Sequence, residues 1–364
     1  PSSREDSPRN DVMQISLDEI AYVPTFFLRV AEFQALEHLS DTEKDDLIPI
    51  FLLKPWSTAN ELSAAPQRIR RIFPGRNFIL DLDRYFARPS DRPAWYEFRN
   101  LFDSNDACGR WRAFLESVPE AIPCLQLEHG AEVFQTQIYW ANDNHRTFAV
   151  RIDRRFEVSP EDVIPPLSNV EHNNYIVIID ASWGRDLIFQ ELWVSRWISR
   201  FLSINPSVRI VVTGSSFPQD FMSYGTYGEE PHQERPLFAA LQQRHNEARL
   251  IYGDWGSVRP HGAEGGGPGY PRIDLPLTNR WVFFRGSSIG GDFRPLASRA
   301  VASAVWDGDM TVWGKYFIQN TADNLGSTIN SAQQAVAARV NIHLTEQIRL
   351  AFPAVTAVEQ DFVD

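Results

Sequence analysis

The chain has 364 residues, 43% of them hydrophobic and 23% charged, which is too long for one small domain and too apolar for a disordered or fibrous protein. A net charge of −12 speaks against sequence-independent coating of DNA, which needs an excess of phosphate-neutralising cations. Two cysteines, Cys108 and Cys124, cannot build a disulfide framework or a Cys-rich zinc site.

Residues 1–18 are polar and rich in Pro and Ser. They read as a tail without the apolar segment of a secretion signal. No run of about 18 apolar residues predicts a membrane span, so a soluble, cytoplasmic protein with no membrane partner is expected. Then come eight short apolar runs: Tyr22–Phe27, Leu47–Leu53, Asn77–Asp81, Ala121–Leu127, Thr147–Ile152, Tyr175–Ile179, Val208–Thr213 and Leu250–Tyr252. Each gives way to polar or charged residues. Continuous apolar runs of this length suit strands buried on both faces. Helical periodicity lies between them, as in Arg29–Leu39, Asp186–Leu202 and Pro236–Asn246. Strand then helix, repeated across residues 19–259, predicts an α/β fold, a (β/α)8 TIM-like barrel. An open doubly wound sheet is the rival; no Gly-rich dinucleotide fingerprint follows the first run.

After residue 259 the rhythm changes. Pro260–Pro271 is Gly- and Pro-rich and breaks both regular structures. A short strand is predicted at Arg280–Phe284 and a helix at Phe293–Ala304. A long amphipathic helix at Ser331–Phe352 carries Val336, Val340, Leu344, Ile348 and Phe352 on one stripe. Residues 260–364 therefore read as a Gly-rich loop and an α+β appendage packed on the barrel.

In such a barrel ligands sit where strands end. The strand-end residues are Lys54, Asp81 with Asp83, Glu128 with His129, Arg151 with Asp153, Asp180, Ser216 and Asp254. So many carboxylates at one rim raise one another's pKa or recruit a cation. Asp81, Asp83 and Asp180 are accordingly candidate ligands of Mg2+ or Mn2+. Asp81, Asp180 and Glu128 are candidate acid/base groups. The alternative is that these residues cap helices and close turns. Arg151 sits inside a buried run on the same side as Asp153, and must be paired or bind an anion. It either holds Asp81 or Asp180, or captures a ligand phosphate with help from Lys54. Thr213-Gly-Ser-Ser216 offers backbone N–H groups for a phosphate, or an ordinary turn and cap. Trp255 and Trp183, just past strand ends, either stack on a base or pack the core. No His pair has metalloprotease spacing and no nucleophile elbow is present.

Several phrases taken together resemble one known family. They are Arg29-x-x-Glu32-x-x-Ala-Leu36, Thr213-Gly-Ser-Ser-Phe-Pro218, Tyr252-Gly-Asp-Trp-Gly256, the Trp281–Gly286 stretch with its Arg285-Gly286, Trp313-Gly-Lys315 and His343-Leu344. In this order, over residues 20–350, they are similar to the phage and bacterial beta protein family. Trp255, where Tyr is expected, and the Gly-rich insertion at 263–269 depart from the pattern. The resemblance implies a role in conflict between phage, mobile element and host, as defence, counter-defence or toxin. It assigns no catalytic residue.

The expectation is a barrel that binds a phosphorylated ligand, a nucleotide or nucleic-acid end, at its C-terminal face. Arg151, Lys54, Asp153, Ser216, Asp254 and Trp255 would line the site. If the protein is an enzyme, metal-assisted hydrolysis is the expected reaction. One alternative is a non-enzymatic module that recognises a phage or host protein. Another is a glycoside-type hydrolase using a carboxylate pair.

Overall fold

A computed structural model describes residues 20–171, 174–260 and 269–351. The predicted tail, most of the Gly-rich stretch and Phe352 lie outside them. The strands are β1 Tyr22–Phe27, β2 Ile50–Leu53, β3 Phe78–Leu82, β4 Ala121–Pro123, β5 Phe148–Asp153, β6 Tyr175–Trp183, β7 Arg209–Ser215, β8 Tyr227–Pro231, β9 Arg249–Asp254, β10 Arg272–Pro276 and β11 Arg280–Arg285. Eight of them form one parallel sheet in the order β4-β3-β2-β1-β9-β7-β6-β5. Its two edges meet where Cys124 bridges to Ala149 and the Leu125 N–H donates to the Ala149 carbonyl at 3.0 Å. All eight predicted apolar runs are the eight staves of this sheet, and the fold is a (β/α)8 barrel.

Parallel partners in register point to the same side. The pairs Thr25–Ile50, Leu52–Asp81, Arg151–Ile178, Asp153–Asp180, Ile178–Val211 and Val211–Ile251 therefore trace the inward row. Its middle is apolar, Arg209 and Arg249 lie in the same row at the lower end, and its upper rim is charged. Packing inside is tight at Gly253, where an added Cβ would meet the Val23 carbonyl oxygen at 2.7 Å and Val211 Cγ1 at 3.0 Å. The residues between, such as Tyr22, Tyr252 and Asp254, face outward.

The surrounding helices are α1 Val30–Glu37, α2 Asp41–Asp45, α3 Ala64–Ile72, α4 Pro93–Asn100, α5 Asn105–Glu116, α6 Ala131–Asp143, α7 Pro160–Leu167, α8 Leu187–Ile204, α9 Glu234–Arg244, α10 Arg294–Val301, α11 Trp313–Asp323 and α12 Ala332–Ala351. Local signals fix several of their starts. Ser40 and Glu43 form a capping box on α2, and the Asp186 carboxylate accepts from the Phe189 N–H of α8. None of the helices among the described residues is long and apolar enough to cross a membrane.

The C-terminal part differs from the sequence expectation in two ways. First, β11 pairs with β10 and also with β8, a strand from within the 19–259 span assigned to the barrel, in an antiparallel sheet of three strands, where the sequence predicts the strand at Arg280–Phe284 alone. Half-exposed Tyr-Gly-Glu-Glu-Pro of β8 lacks an apolar run, so its strand form comes from pairing with β11. Second, α12 is not confined to an appendage. Val340, Leu344 and Ile348 belong to the main core, and the Asn341 side chain donates to the Ala35 carbonyl of α1 at 3.0 Å. Its other face, with Ala335, Ala338 and Ile342, packs on a second core with β10, β11, α10 and α11. After β9 the chain makes this excursion and returns as α12 to occupy the eighth helical place of the barrel.

Candidate functional site

The charged rim inside the barrel is a single alternating network. Arg151 of β5, with 2% of its side chain exposed, donates to Asp81 at 3.0 Å, to Asp153 at 3.1 Å and to Asp180 at 2.6 Å. Asp81 also receives Arg84 Nη1 at 3.1 Å. Arg84 in turn pairs with Glu128 and donates to Gln126 Oε1 at 2.9 Å. On the other flank Arg155 grips Asp153 with two N–H groups, at 2.8 and 2.5 Å, and also donates to the Pro260 carbonyl at 3.1 Å. Burial alone would raise the pKa of Asp81 and Asp153, but the neighbouring guanidinium charges hold both below the usual carboxylate value. For Arg151 burial pulls the other way, and the charges of Asp180, Asp153 and Asp81 keep it firmly protonated. Asp83 differs: burial pushes its pKa up despite the nearby Lys54 charge, and its Oδ1 accepts from the Tyr85 N–H at 3.2 Å.

This geometry revises several expectations. The crowded carboxylates do recruit a cation, and that cation is Arg151. It is enclosed by three acids and is no anion receptor. Asp81 and Asp180 direct their oxygens at one guanidinium, so they are neither an open carboxylate pair nor a metal cradle with Asp83. Among the described residues no group of three or more His, Cys, Asp or Glu side chains is placed to share a metal ion. Glu128 serves Arg84, and neighbouring His129 is half-buried.

Trp255 is 1% exposed. Its Nε1–H donates to Asp180 at 3.2 Å, and its ring lies 5.6 Å from Arg151 Cζ and 5.3 Å from Phe27. It plugs the barrel and offers no face to a ligand. Trp183 donates to the Phe217 carbonyl at 2.8 Å. Ser216 ties the end of β7 to the start of α9: its N–H and hydroxyl both donate to Glu234, and its Oγ accepts from the Gln233 N–H at 3.0 Å. The Glu234 carboxylate thus holds the place a phosphate would take at the Thr213–Ser216 turn.

Asp254 faces out of the barrel, away from the rim. It accepts from Tyr22 at 2.8 Å, Tyr252 at 3.1 Å and the Gly256 N–H at 2.8 Å, and pairs with His343 Nε2 of α12 at 2.8 Å. Burial would raise its pKa; His343 and these donors bring it down to about 2. Burial and the Asp254 charge push both phenols up. Asp254 therefore fastens α12 to the barrel wall.

Lys54, by contrast, does reach a cavity. A cleft of about 730 Å³ opens at the C-terminal ends of β1, β2 and β3. Arg29, Lys54, Arg88 and Arg92 line it, together with the rings of Trp56, Phe86 and Trp95. No carboxylate side chain is among its lining residues. Lys54 is buried, its Nζ 5.1 Å from the Phe86 ring, while Arg88 and Arg92 are exposed. A volume of this order suits a small-molecule ligand, and cations beside flat rings suit phosphate with an attached base. Apart from Lys54, the sequence reading missed this set. The signal is the interleaving of cations and rings in the two loops Lys54-Pro-Trp56 and Arg84-Tyr-Phe86-Ala-Arg88-Pro-Ser-Asp-Arg92-Pro-Ala-Trp95.

Comparison with known proteins fits the phrases noted in the sequence. A family model described as Beta protein matches residues 22–349. "Protein beta" of Enterobacteria phage P4 is 24% identical over 348 residues, covering 93% of this chain and 96% of that protein. The matched segment takes in all eight barrel strands, the second core and nearly all of α12, and the chain belongs to the Beta protein family.

Proposed function

We propose that this protein binds a phosphorylated ligand, a nucleotide or a nucleic-acid end, in the cleft over β1–β3, and that it serves in conflict between phage or mobile element and host. The observation that carries the ligand class is the cleft lining itself: Arg29, Lys54, Arg88 and Arg92 beside Trp56, Phe86 and Trp95, with no lining carboxylate. The exposed Arg88 and Arg92 guanidinium groups can donate charge-assisted hydrogen bonds to phosphate oxygens, and the half-buried rings of Phe86 and Trp95 supply a stacking face for a base, whereas Trp56 is buried between Phe33 and Arg68 and Arg29 pairs with Glu32 at 3.7 Å. The role in conflict draws support from the phage origin of the matched relative. Binding is favoured over turnover, because Asp81, Asp153 and Asp180 are each tied to Arg151 and are poor candidates for acid/base work or metal ligation.

The test is titration of the full chain with nucleoside mono-, di- and triphosphates, followed by calorimetry. Arg88→Glu with Arg92→Glu, both at exposed positions, is expected to weaken binding at least tenfold, since each charge-assisted hydrogen bond contributes about 1.5–3 kcal/mol. The unphosphorylated nucleoside is expected to bind far more weakly. Equal affinity for nucleoside and nucleotide, or indifference to the double substitution, refutes the proposal.

A further inference from the structure

Resting on that proposal, we infer that the ligand is an extended single strand of nucleic acid rather than a lone nucleotide, and that it runs from the first cleft into a second one beside it. The second cleft, about 440 Å³, lies between α1 and α3. It shares Val30 and Trp56 with the first. Arg68 and Arg71 of α3 line it, and the Arg68 guanidinium stacks 4.4 Å from the Trp56 ring centre. At its far rim His38 stacks on Trp313, ring centres 4.1 Å apart and planes 7° apart, which continues the row of flat surfaces. Glu37 is the single carboxylate in that lining.

The two linings together bring cations and rings side by side: Arg88, Arg92 and Trp95, Lys54 and Trp56, and Arg68 and Arg71. A strand that carries phosphates and bases together suits this mixture of cations and rings. Paired bases hide their faces, so a duplex gains the cations only. An acidic peptide carries charge without a ring at each step, and uses half of the lining. The first cleft is already large enough for one small ligand, so a second cleft that shares Val30 and Trp56 with it is surplus to a mononucleotide and apt for a polymer.

The experiment uses fluorescein-labelled oligothymidylates of two, four and eight nucleotides, read by fluorescence anisotropy on the full chain. Affinity is expected to rise at least tenfold from the dimer to the octamer. Arg71→Glu, at an exposed position, is expected to weaken the octamer at least fivefold more than the dimer. It is also expected to lower the slope of log affinity against log salt for the octamer by about 0.7, the value of one phosphate contact on a single strand. Length-independent affinity, or an Arg71→Glu loss equal at all lengths, overturns the extended track and leaves the first-cleft proposal standing if Arg88→Glu still weakens every length. Indifference to Arg88→Glu at every length removes both. Displacement of the octamer by an oligoglutamate peptide of equal charge, at equal concentration, also overturns the inference.

Discussion

At the scale of single residues, Arg151 is held by a balance of large opposing effects. Removing its charge from water costs several kcal/mol, and three carboxylates at 2.6–3.1 Å return it. Arg151→Ala leaves Asp180, fully buried, without its guanidinium and Asp81 with Arg84 as its remaining counter-charge. The expected loss is about 3–5 kcal/mol of unfolding free energy in a denaturant titration. Arg151→Lys, with one ammonium in place of a planar fork, should lose less; a midpoint unchanged in both variants contradicts the structural role. Asp254 gives a pH signature. Its pKa is about 2 in the fold against 3.8 ordinarily, so the folded state favours the ionised form. That stabilisation, about 2 kcal/mol, is complete above about pH 4 and is lost as pH falls toward 2. Asp254→Asn should flatten the stability profile between pH 4 and 2, measured by thermal midpoint. The sequence placed Arg151 and Asp81 at one rim and named their pairing as an alternative. Alternation along a strand set the face, but it could not say whether the partner was a ligand or Asp180.

At the scale of elements, α12 decides whether the barrel is sealed. It presents Val340, Leu344 and Ile348 to the barrel and Ala335, Ala338 and Ile342 to the second core. Its seat is close: a Cβ at Gly314 of α11 would fall well inside contact distance of the Ala338 carbonyl, and 2.7 Å from Ile342 Cγ1. Gly314→Ala is expected to cost about 1–3 kcal/mol through overpacking, seen as a lowered thermal midpoint with the far-ultraviolet spectrum unchanged. A chain ending at Ser331 lacks the helix that covers β1 and β9. It is expected to lose cooperative unfolding, read by near-ultraviolet dichroism during heating. A sharp native-like transition in that truncated chain refutes the sealing role. The period of α12 was legible in the sequence. Its two-sided burial was not, because a helix wedged between two cores needs apolar or small residues all round, and Ala335, Ala337 and Ala338 carry little hydrophobic signal.

At the scale of the whole molecule, the chain is strongly acidic while its cleft is basic, and distance decides between them. At physiological ionic strength charges beyond about 8 Å are largely screened, so a phosphate in the cleft answers to Arg29, Lys54, Arg88 and Arg92 more than to a net charge of −12. Binding of the octamer is accordingly expected to weaken steadily as salt rises, and blunt duplex is expected to bind at least tenfold more weakly than single strand in the same anisotropy assay. Equal binding of duplex and strand contradicts this. The sequence by itself determined the barrel, because eight apolar runs buried on both faces with helices between them leave few other ways to satisfy their backbones. It also determined the family, through phrases spread along the chain. Tertiary structure alone decided the site. Side chains from the loops after β1, β2 and β3 and from α3 become neighbours only when the strands pair side by side, and closure of β5 against β4 set Arg151 beside Asp81, among the carboxylates that seal it from any ligand.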